Sequence, residues 1–187
     1  MITVREKVYN IKDYKLLPEG SPYQLIEGEL VMTMTPAPGL RHQIISANIF
    51  EKMREFSKGK GIILYSPVDV YLGEENACLP DIVFILKQRS EIIKNHGIYG
   101  SPDIIIEILS PTTAYYDIRK KFRVYERYGV SEYWIVDPEM NSVEVYHNKE
   151  SHFSLMCKTE GMGEIESSVL HGLTLSMENI FSFERLQ

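Results

Sequence analysis

The segment SPDIIIEILSP, residues 101–111, predicts a central strand that is buried on both faces. Isoleucine and leucine occupy positions 104–106, 108 and 109, so both faces are apolar, as in the centre of a sheet that is covered on both sides. Glu107 interrupts this run. An ionised carboxylate in such a place is costly unless it pairs with a cation or binds a metal ion. Glu107 is therefore the first candidate for a functional residue.

Length and composition limit the class of protein. The chain has 187 residues, which is enough for one domain with a real core, and we expect a single domain over residues 1–187. The net charge of −6 argues against a protein that coats nucleic acid, but not against an enzyme that touches it along one basic edge. The first ten residues lack the apolar segment of a signal peptide, no apolar run is long enough for a membrane span, and the two cysteines indicate no disulfide framework. These features predict a cytoplasmic protein that does not contact a membrane.

Elsewhere the patterns predict an α/β fold with a mixed sheet. A helix is expected from about His42 to Phe56, and the segments GIILYSP, PDIVFIL and 101–111 then predict three strands. The helix TTAYYDIRKKFRVYERYG follows, with threonines at 112 and 113 suited to N-capping and an end at Gly129, and VSEYWIVDP predicts another strand. This order (helix, three strands, helix, strand) forms a predicted core over about 38–138, with edge hairpins at 23–34 and 142–158.

Two Pro-Asp pairs, at 80–81 and 102–103, are candidate partners for Glu107. A strand rises ~3.3 Å per residue, so Asp103 lies roughly 13 Å from Glu107 and cannot share an ion with it. If the strand that follows Asp81 runs antiparallel to the Glu107 strand, Asp81 and Glu107 converge at one end of the sheet and Asp103 lies at the other. Two carboxylates at one place form a hard oxygen site suited to Mg²⁺.

A cation is expected beside these carboxylates. Leu109 points the same way as Glu107, at the position where a nuclease site of two carboxylates and a lysine usually has its lysine. The following helix offers a substitute, because Asp117, Lys121 and Tyr125 are spaced i, i+4, i+8 and share a face. We expect the Lys121 ammonium within roughly 5 Å of the Glu107 carboxylate.

Together these motifs resemble the Uma-type restriction endonuclease family of the PD-(D/E)xK nuclease superfamily. The resemblance covers roughly residues 10–150 and rests on Pro80-Asp81, EILSP at 107–111, Lys121, Tyr125 and GVSEYWIVDP at 129–138. The segment LIEGELV and His42 fit the same family. Any one of these motifs is weak, but their spaced combination is specific. The resemblance implies a restriction endonuclease-like core and a Mg²⁺-dependent phosphodiesterase site.

The resulting hypothesis is a metal-dependent endonuclease that hydrolyses DNA phosphodiester bonds. Asp81 and Glu107 would hold Mg²⁺, for which Mn²⁺ is expected to substitute, with the backbone carbonyl of Ile108 as a further ligand. Lys121 would position the nucleophile or stabilise the transition state, while His42 and Tyr125 are candidates to line the pocket. Since one copy of so short a chain offers little recognition surface, a homodimer that cuts both strands is expected.

Alternative interpretations of the same residues remain. Asp81 could only begin a strand, Glu107 and Lys121 could form a structural ion pair, and His42 could pack or cap its helix. The basic segment from Tyr115 to Tyr128 could be a solvated helix face or an edge that meets the phosphate backbone. A catalytically silent binding module and a metal-dependent hydrolase of another phosphoester are accordingly the rival functions.

Overall fold

The computed structural model describes residues 8–33, 39–111 and 114–183. The threonines predicted to cap a helix at 112 and 113, the last residue of the predicted first hairpin, Met34, and residue 38, where the predicted core begins, lie outside these ranges. In the described residues the helical segments are α1 Ile11–Tyr14, α2 Leu40–Phe56, a 3-10 helix Lys87–Ile92, a π-helix Tyr116–Lys121, α3 Phe122–Arg127 and α4 Met177–Phe181. Within the same part of the chain, no helix is both long and apolar enough to cross a membrane.

Within the described ranges, the strands form two six-stranded sheets and one two-stranded sheet. The strands are β1 Tyr23–Ile26, β2 Glu29–Met32, β3 Gly61–Tyr65, β4 Val70–Tyr71, β5 Ala77–Cys78, β6 Ile82–Leu86, β7 Ile93–Lys94, β8 Gly97–Tyr99, β9 Ile104–Ile108, β10 Glu132–Asp137, β11 Ser142–Lys149, β12 His152–Glu160, β13 Glu164–Glu166 and β14 Thr174–Ser176. The hairpin expected around Glu27-Gly28 joins β1 to β2, with both turn residues in the left-handed region.

The central sheet has the order β12-β11-β10-β9-β6-β3. Strand β9 is parallel to β10, and the other neighbours are antiparallel. Every residue of β9 is buried, as the apolar run on both its faces predicts. The predicted mixed α/β fold is therefore confirmed.

The two faces of the central sheet have different partners. One face packs against α2, α4 and the β13–β14 hairpin. The other packs against α3 and the amino-terminal sheet, whose order is β2-β1-β5-β4-β8-β7. Since side chains alternate along a strand, Glu107 lies on this second face together with Ile105. Its carboxylate is thus enclosed between two sheets and the helix that follows β9.

That helix differs from the expectation. The prediction of one regular helix after β9 is wrong in its first half, where the backbone forms a six-residue π-helix before α3 begins. A π turn is wider than an α turn and is frequent at functional sites. Here it carries the buried charged pair Asp117 and Lys121. The predicted end of the helix is confirmed, because Gly129 is left-handed with a φ of +76°.

Candidate active site

The register of β6 and β9 brings two carboxylates to one end of the central sheet. These strands are antiparallel with Ile82 opposite Ile106, so Asp81, just before β6, lies beside Glu107. The Ile108 amide donates to Oδ2 of Asp81 at 2.7 Å, which fixes the Asp81 carboxylate against the end of β9. Asp103 lies at the opposite end of β9, where Arg89 pairs with it at 2.8 Å. The predicted convergence of Asp81 and Glu107, away from Asp103, is confirmed.

Glu107 accepts two hydrogen bonds from the following helix. The Lys121 ammonium lies 2.9 Å from its Oε1, and the Tyr125 hydroxyl donates to the same oxygen at 2.7 Å. The predicted approach of Lys121 to Glu107 is therefore confirmed, whereas its catalytic role stays a prediction. Leu109 packs half-buried on the same face of the sheet, so the position expected for a lysine is apolar.

Asp117 is a second acidic partner of Lys121. Its Oδ1 lies 2.9 Å from the ammonium, one helical turn earlier in the chain, and the side chains of both residues are at most 4% exposed. The i, i+4 spacing of Asp117 and Lys121 in the sequence predicts that they share a helix face. This spacing is the sequence feature that indicates Asp117 as a partner of Lys121. Lys121 is therefore held between two buried carboxylates.

The cluster is rich in acidic groups. It contains the carboxyl groups of Asp81, Glu107 and Asp117 and one buried ammonium, that of Lys121, which contacts Glu107 and Asp117. Burial raises the pKa of Glu107 to about 8; Lys121 opposes this shift, while Asp117 and Asp81 add to it. Burial lowers the pKa of Lys121, but Asp117 and Glu107 raise it above its ordinary value, so the amine stays protonated. Another positive charge at this place would relieve the repulsion between the carboxylates.

His42 lies on the more open side of the cluster. It is in the first turn of α2, inside the helix, and its Nε2 lies 3.3 Å from Oδ2 of Asp81. Burial lowers the pKa of His42, but the hydrogen bond and the charge of Asp81 outweigh it and raise the pKa above the ordinary value. Nδ1 is buried without a hydrogen-bond partner in the described ranges. His42 therefore contacts the acidic site rather than capping its helix.

The residues present fit a hard divalent cation. Asp81, Glu107 and the Ile108 carbonyl are oxygen donors, and two carboxylates with several waters are a typical environment for Mg²⁺. The bonds from Lys121 and Tyr125 both use Oε1 of Glu107, and no described residue bonds to Oε2. Among residues 8–33, 39–111 and 114–183, no group of three or more His, Cys, Asp or Glu side chains is arranged to hold a metal ion. An ion here would accordingly keep much of its hydration.

Two further buried groups were not anticipated from the sequence. Cys78, on β5 of the amino-terminal sheet, lies near Lys121 and Glu107, and burial raises its pKa to about 12. Glu132, at the start of β10, is fully buried and accepts hydrogen bonds from the Trp134 indole and from Ser167, Ser168 and Val169. Glu132 lies on the opposite face of the central sheet, where its hydrogen bonds hold residues 167–169 against that sheet.

Comparisons with known proteins concern the family and the fold of the chain. A crystal structure described as a putative nuclease belonging to DUF820, from Anabaena variabilis ATCC 29413, is similar with a TM-score of 0.75 and 22% sequence identity. The match covers 92% of this chain and 97% of that chain, and it shows the shared restriction endonuclease-like fold. No curated protein matches the chain. The family model Uma2, described as "Putative restriction endonuclease", matches residues 11–178, and the chain therefore belongs to the Uma2 family.

Proposed function

We propose that this protein is a Mg²⁺-dependent endonuclease that hydrolyses DNA phosphodiester bonds. Membership in the Uma2 family supports a nuclease function. The observation that carries the proposal is the buried Lys121 ammonium, 2.9 Å from Glu107 and 2.9 Å from Asp117, while Asp81, just before β6, lies beside Glu107. Such a combination of acidic oxygens and one cation suits phosphoryl chemistry, where negative charge must be bound and stabilised.

Each side chain has a role in this proposal. Asp81 and Glu107 would hold the ion, which when bound supplies a water of lowered pKa and neutralises charge on the phosphate. Lys121 is the fixed cation that would orient the attacking water or stabilise the transition state. Tyr125 holds the Glu107 carboxylate in place through its 2.7 Å hydrogen bond. His42 restrains Asp81 in the same way at the other side of the site.

DNA is proposed as the substrate because the helix after β9 also carries basic residues outside the buried cluster. In addition to Lys121, the π-helix and α3 include the exposed Arg119, Arg123 and Arg127 and the half-buried Lys120. A basic edge beside the acidic site provides contacts for the phosphate backbone, even though the chain as a whole carries a net charge of −6. A homodimer would allow both strands to be cut, and a cytoplasmic location fits this role.

One observation favours a second candidate, a catalytically silent binding module. The side chains of Glu107 and Lys121 are only 3% and 4% exposed, and they satisfy each other. A buried pair of this kind can serve structure alone. The two functions differ in their response to divalent ions, because a purely structural pair gains no stability from Mg²⁺ or Mn²⁺.

The test combines thermal unfolding with cleavage. Three proteins are compared: the wild type, Glu107→Gln and the exposed control Glu55→Gln. Their thermal unfolding is measured in EDTA and in Mg²⁺. Separate folded samples are incubated with plasmid DNA and with a small chromogenic phosphodiester. We expect Mg²⁺ to stabilise the wild type and the control but not Glu107→Gln, with Mg²⁺-dependent plasmid cleavage by the same two proteins. Absence of both effects would favour the module. Cleavage of the small ester alone would favour a hydrolase of another phosphoester.

A further inference from the structure

A surface recess lies close to the acidic cluster, and residues of the π-helix and α3 form part of its wall. It has a volume of about 310 Å³ and is lined by Ile118, Arg119, Phe122, Arg123, Ile135 and Tyr146, and we refer to it as the Arg119 pocket. Pockets that take small molecules have volumes of about 300–1,000 Å³. The Arg119 pocket is at the lower end of this range, so it suits one small planar group rather than a stretch of duplex.

The lining combines an apolar floor with a cationic rim. Ile135 is buried at the base, Phe122 packs edge-on against Tyr146, and Ile118 is left 42% exposed. Arg119 and Arg123 stand at the rim, where both side chains are exposed. An apolar surface next to guanidinium groups is the arrangement that binds a nucleobase together with its phosphate.

The two arginines are available for a ligand to different degrees. Within the described part of the chain, the Arg119 side chain makes no ion pair or hydrogen bond, whereas the neighbouring Lys120 pairs with Glu29. Arg123 pairs with Glu27 at 3.1 Å, but its side chain is 58% exposed, and such surface pairs contribute little. A phosphate can therefore bind Arg119 without breaking an existing contact and can compete for Arg123.

The pocket is adjacent to the proposed cleavage site. Ile135 on β10 is directly opposite Glu107 in the parallel pairing of β10 with β9, and both residues are on the same face of the sheet. Neighbouring strands are about 4.8 Å apart. Ile135 also lies two residues before the end of β10, at the end of the sheet where Asp81 and Glu107 meet. A nucleotide next to a phosphodiester bound at Glu107 is thus within reach of the Arg119 pocket.

We propose that the Arg119 pocket receives one unpaired nucleotide of the substrate strand, next to the bond that is cut. The base would pack against Ile118, Phe122 and Ile135, and its phosphate would bind Arg119 and Arg123. This assignment rests on the proposed nuclease function, and its substrate is DNA with an unpaired nucleotide. DNA with an unpaired nucleotide is preferred because a base that is already outside the stack does not have to be extruded.

Binding without metal tests the pocket separately from catalysis. In EDTA, fluorescence polarisation would compare a labelled duplex carrying a one-nucleotide bulge with the same duplex fully paired. The proteins are the wild type, Arg119→Gln, Ile118→Glu, and Arg54→Gln as a control that removes an exposed arginine from α2, on the opposite face of the sheet. Free deoxyadenosine monophosphate serves as competitor, to separate binding of a strand from binding of a free nucleotide.

We expect the wild type and Arg54→Gln to bind the bulged duplex about tenfold more tightly than the paired one, a ratio within the range for stacking of one base. Arg119→Gln and Ile118→Glu should reduce this ratio to about one, and millimolar deoxyadenosine monophosphate should not abolish it. Equal affinity of the wild type for the two duplexes would overturn the proposal, as would an equal loss for both duplexes in Arg119→Gln. Displacement by the free nucleotide at low concentration would assign the pocket to free nucleotides instead.

The binding ratio and Mg²⁺-dependent cleavage are measured independently. A preserved ratio without cleavage would refute the nuclease function and leave the pocket as a nucleotide site. Cleavage of both duplexes without a binding preference would refute the pocket and leave the nuclease function.

Discussion

The replacement Glu107→Gln tests how much the buried charge of Glu107 lowers the free energy of unfolding. Glutamine keeps the size of the side chain and an oxygen that can accept from Tyr125, but it removes the negative charge. Removing one member of a buried ion pair usually destabilises a protein, because the other charge is left alone. Here Lys121 keeps Asp117 at 2.9 Å, so its ammonium is not isolated.

The size of the change in the free energy of unfolding follows from the raised pKa of Glu107. Its pKa is 4.5 in the absence of the fold and about 8 in the folded protein. The folded protein therefore holds this proton more tightly than the unfolded chain does, so stability falls as the pH rises from about 4.5 to about 8 and is level above. The full difference corresponds to about 5 kcal/mol, and the attraction between Glu107 and Lys121 is already contained in the folded-state pKa of about 8.

As the pH rises from 5 to 8, we expect the free energy of unfolding of the wild type to fall by a few kcal/mol relative to that of Glu107→Gln. Urea unfolding followed by circular dichroism, in EDTA at pH 5, 6, 7, 8 and 9, measures this shift. For a chain of this length the corresponding change in Tm is about 5 °C or more. A pH-independent difference between the two proteins would show that Glu107 has no raised pKa in the folded protein, and a variant that is unfolded at every pH would make Glu107 a structural partner.

Four other predictions concern the cluster and its surroundings. Lys121→Ala should lower DNA cleavage by at least about 100-fold, whereas Lys120→Ala should mainly weaken DNA binding and reduce its salt dependence; equal catalytic losses in a plasmid assay would contradict this. Leu109→Lys in the Lys121→Ala background should restore part of the cleavage rate, and no rescue in a well-folded double variant would show that the two positions do not serve one pocket. Stabilisation by Mg²⁺, measured by thermal unfolding, should increase with pH up to about 8 because Glu107 must lose its proton to bind the ion, and a flat response would argue against Glu107 as a ligand. Glu132→Ala should lower the free energy of unfolding by about 3 kcal/mol or more without changing Mg²⁺ affinity, which urea unfolding and calorimetry can check.

The centre of the fold could be predicted from the sequence because its pattern is local. An apolar run on both faces predicts a central strand, and the single carboxylate within it draws attention to Glu107. Strand geometry alone then separates Asp81 from Asp103 as its partner. The i, i+4 spacing of Asp117 and Lys121 predicts one helix face, and the structure shows both side chains at the cluster.

Other parts depend on contacts that are distant in sequence. The amino-terminal sheet is built from strands as short as two residues, which have no readable periodicity, and it alone explains why Cys78 lies near Lys121. The π-helix contains the buried Asp117 and Lys121, and Lys121 contacts Glu107 on β9, a contact between segments that local helix propensity does not describe. The contacts of Glu132 with Ser167 and Ser168 link segments about 35 residues apart, so no motif marks them.

The proposed nuclease function depends on a divalent ion bound at the end of β9. Anomalous diffraction from a crystal of the wild type soaked in Mn²⁺, which is expected to substitute for Mg²⁺, would locate such an ion. We expect an anomalous peak between the carboxylates of Asp81 and Glu107, with ligand distances of about 2.1 Å, and no peak there in Glu107→Gln. Well-occupied Mn²⁺ elsewhere in the crystal with none between Asp81 and Glu107 would show that these carboxylates do not bind the ion.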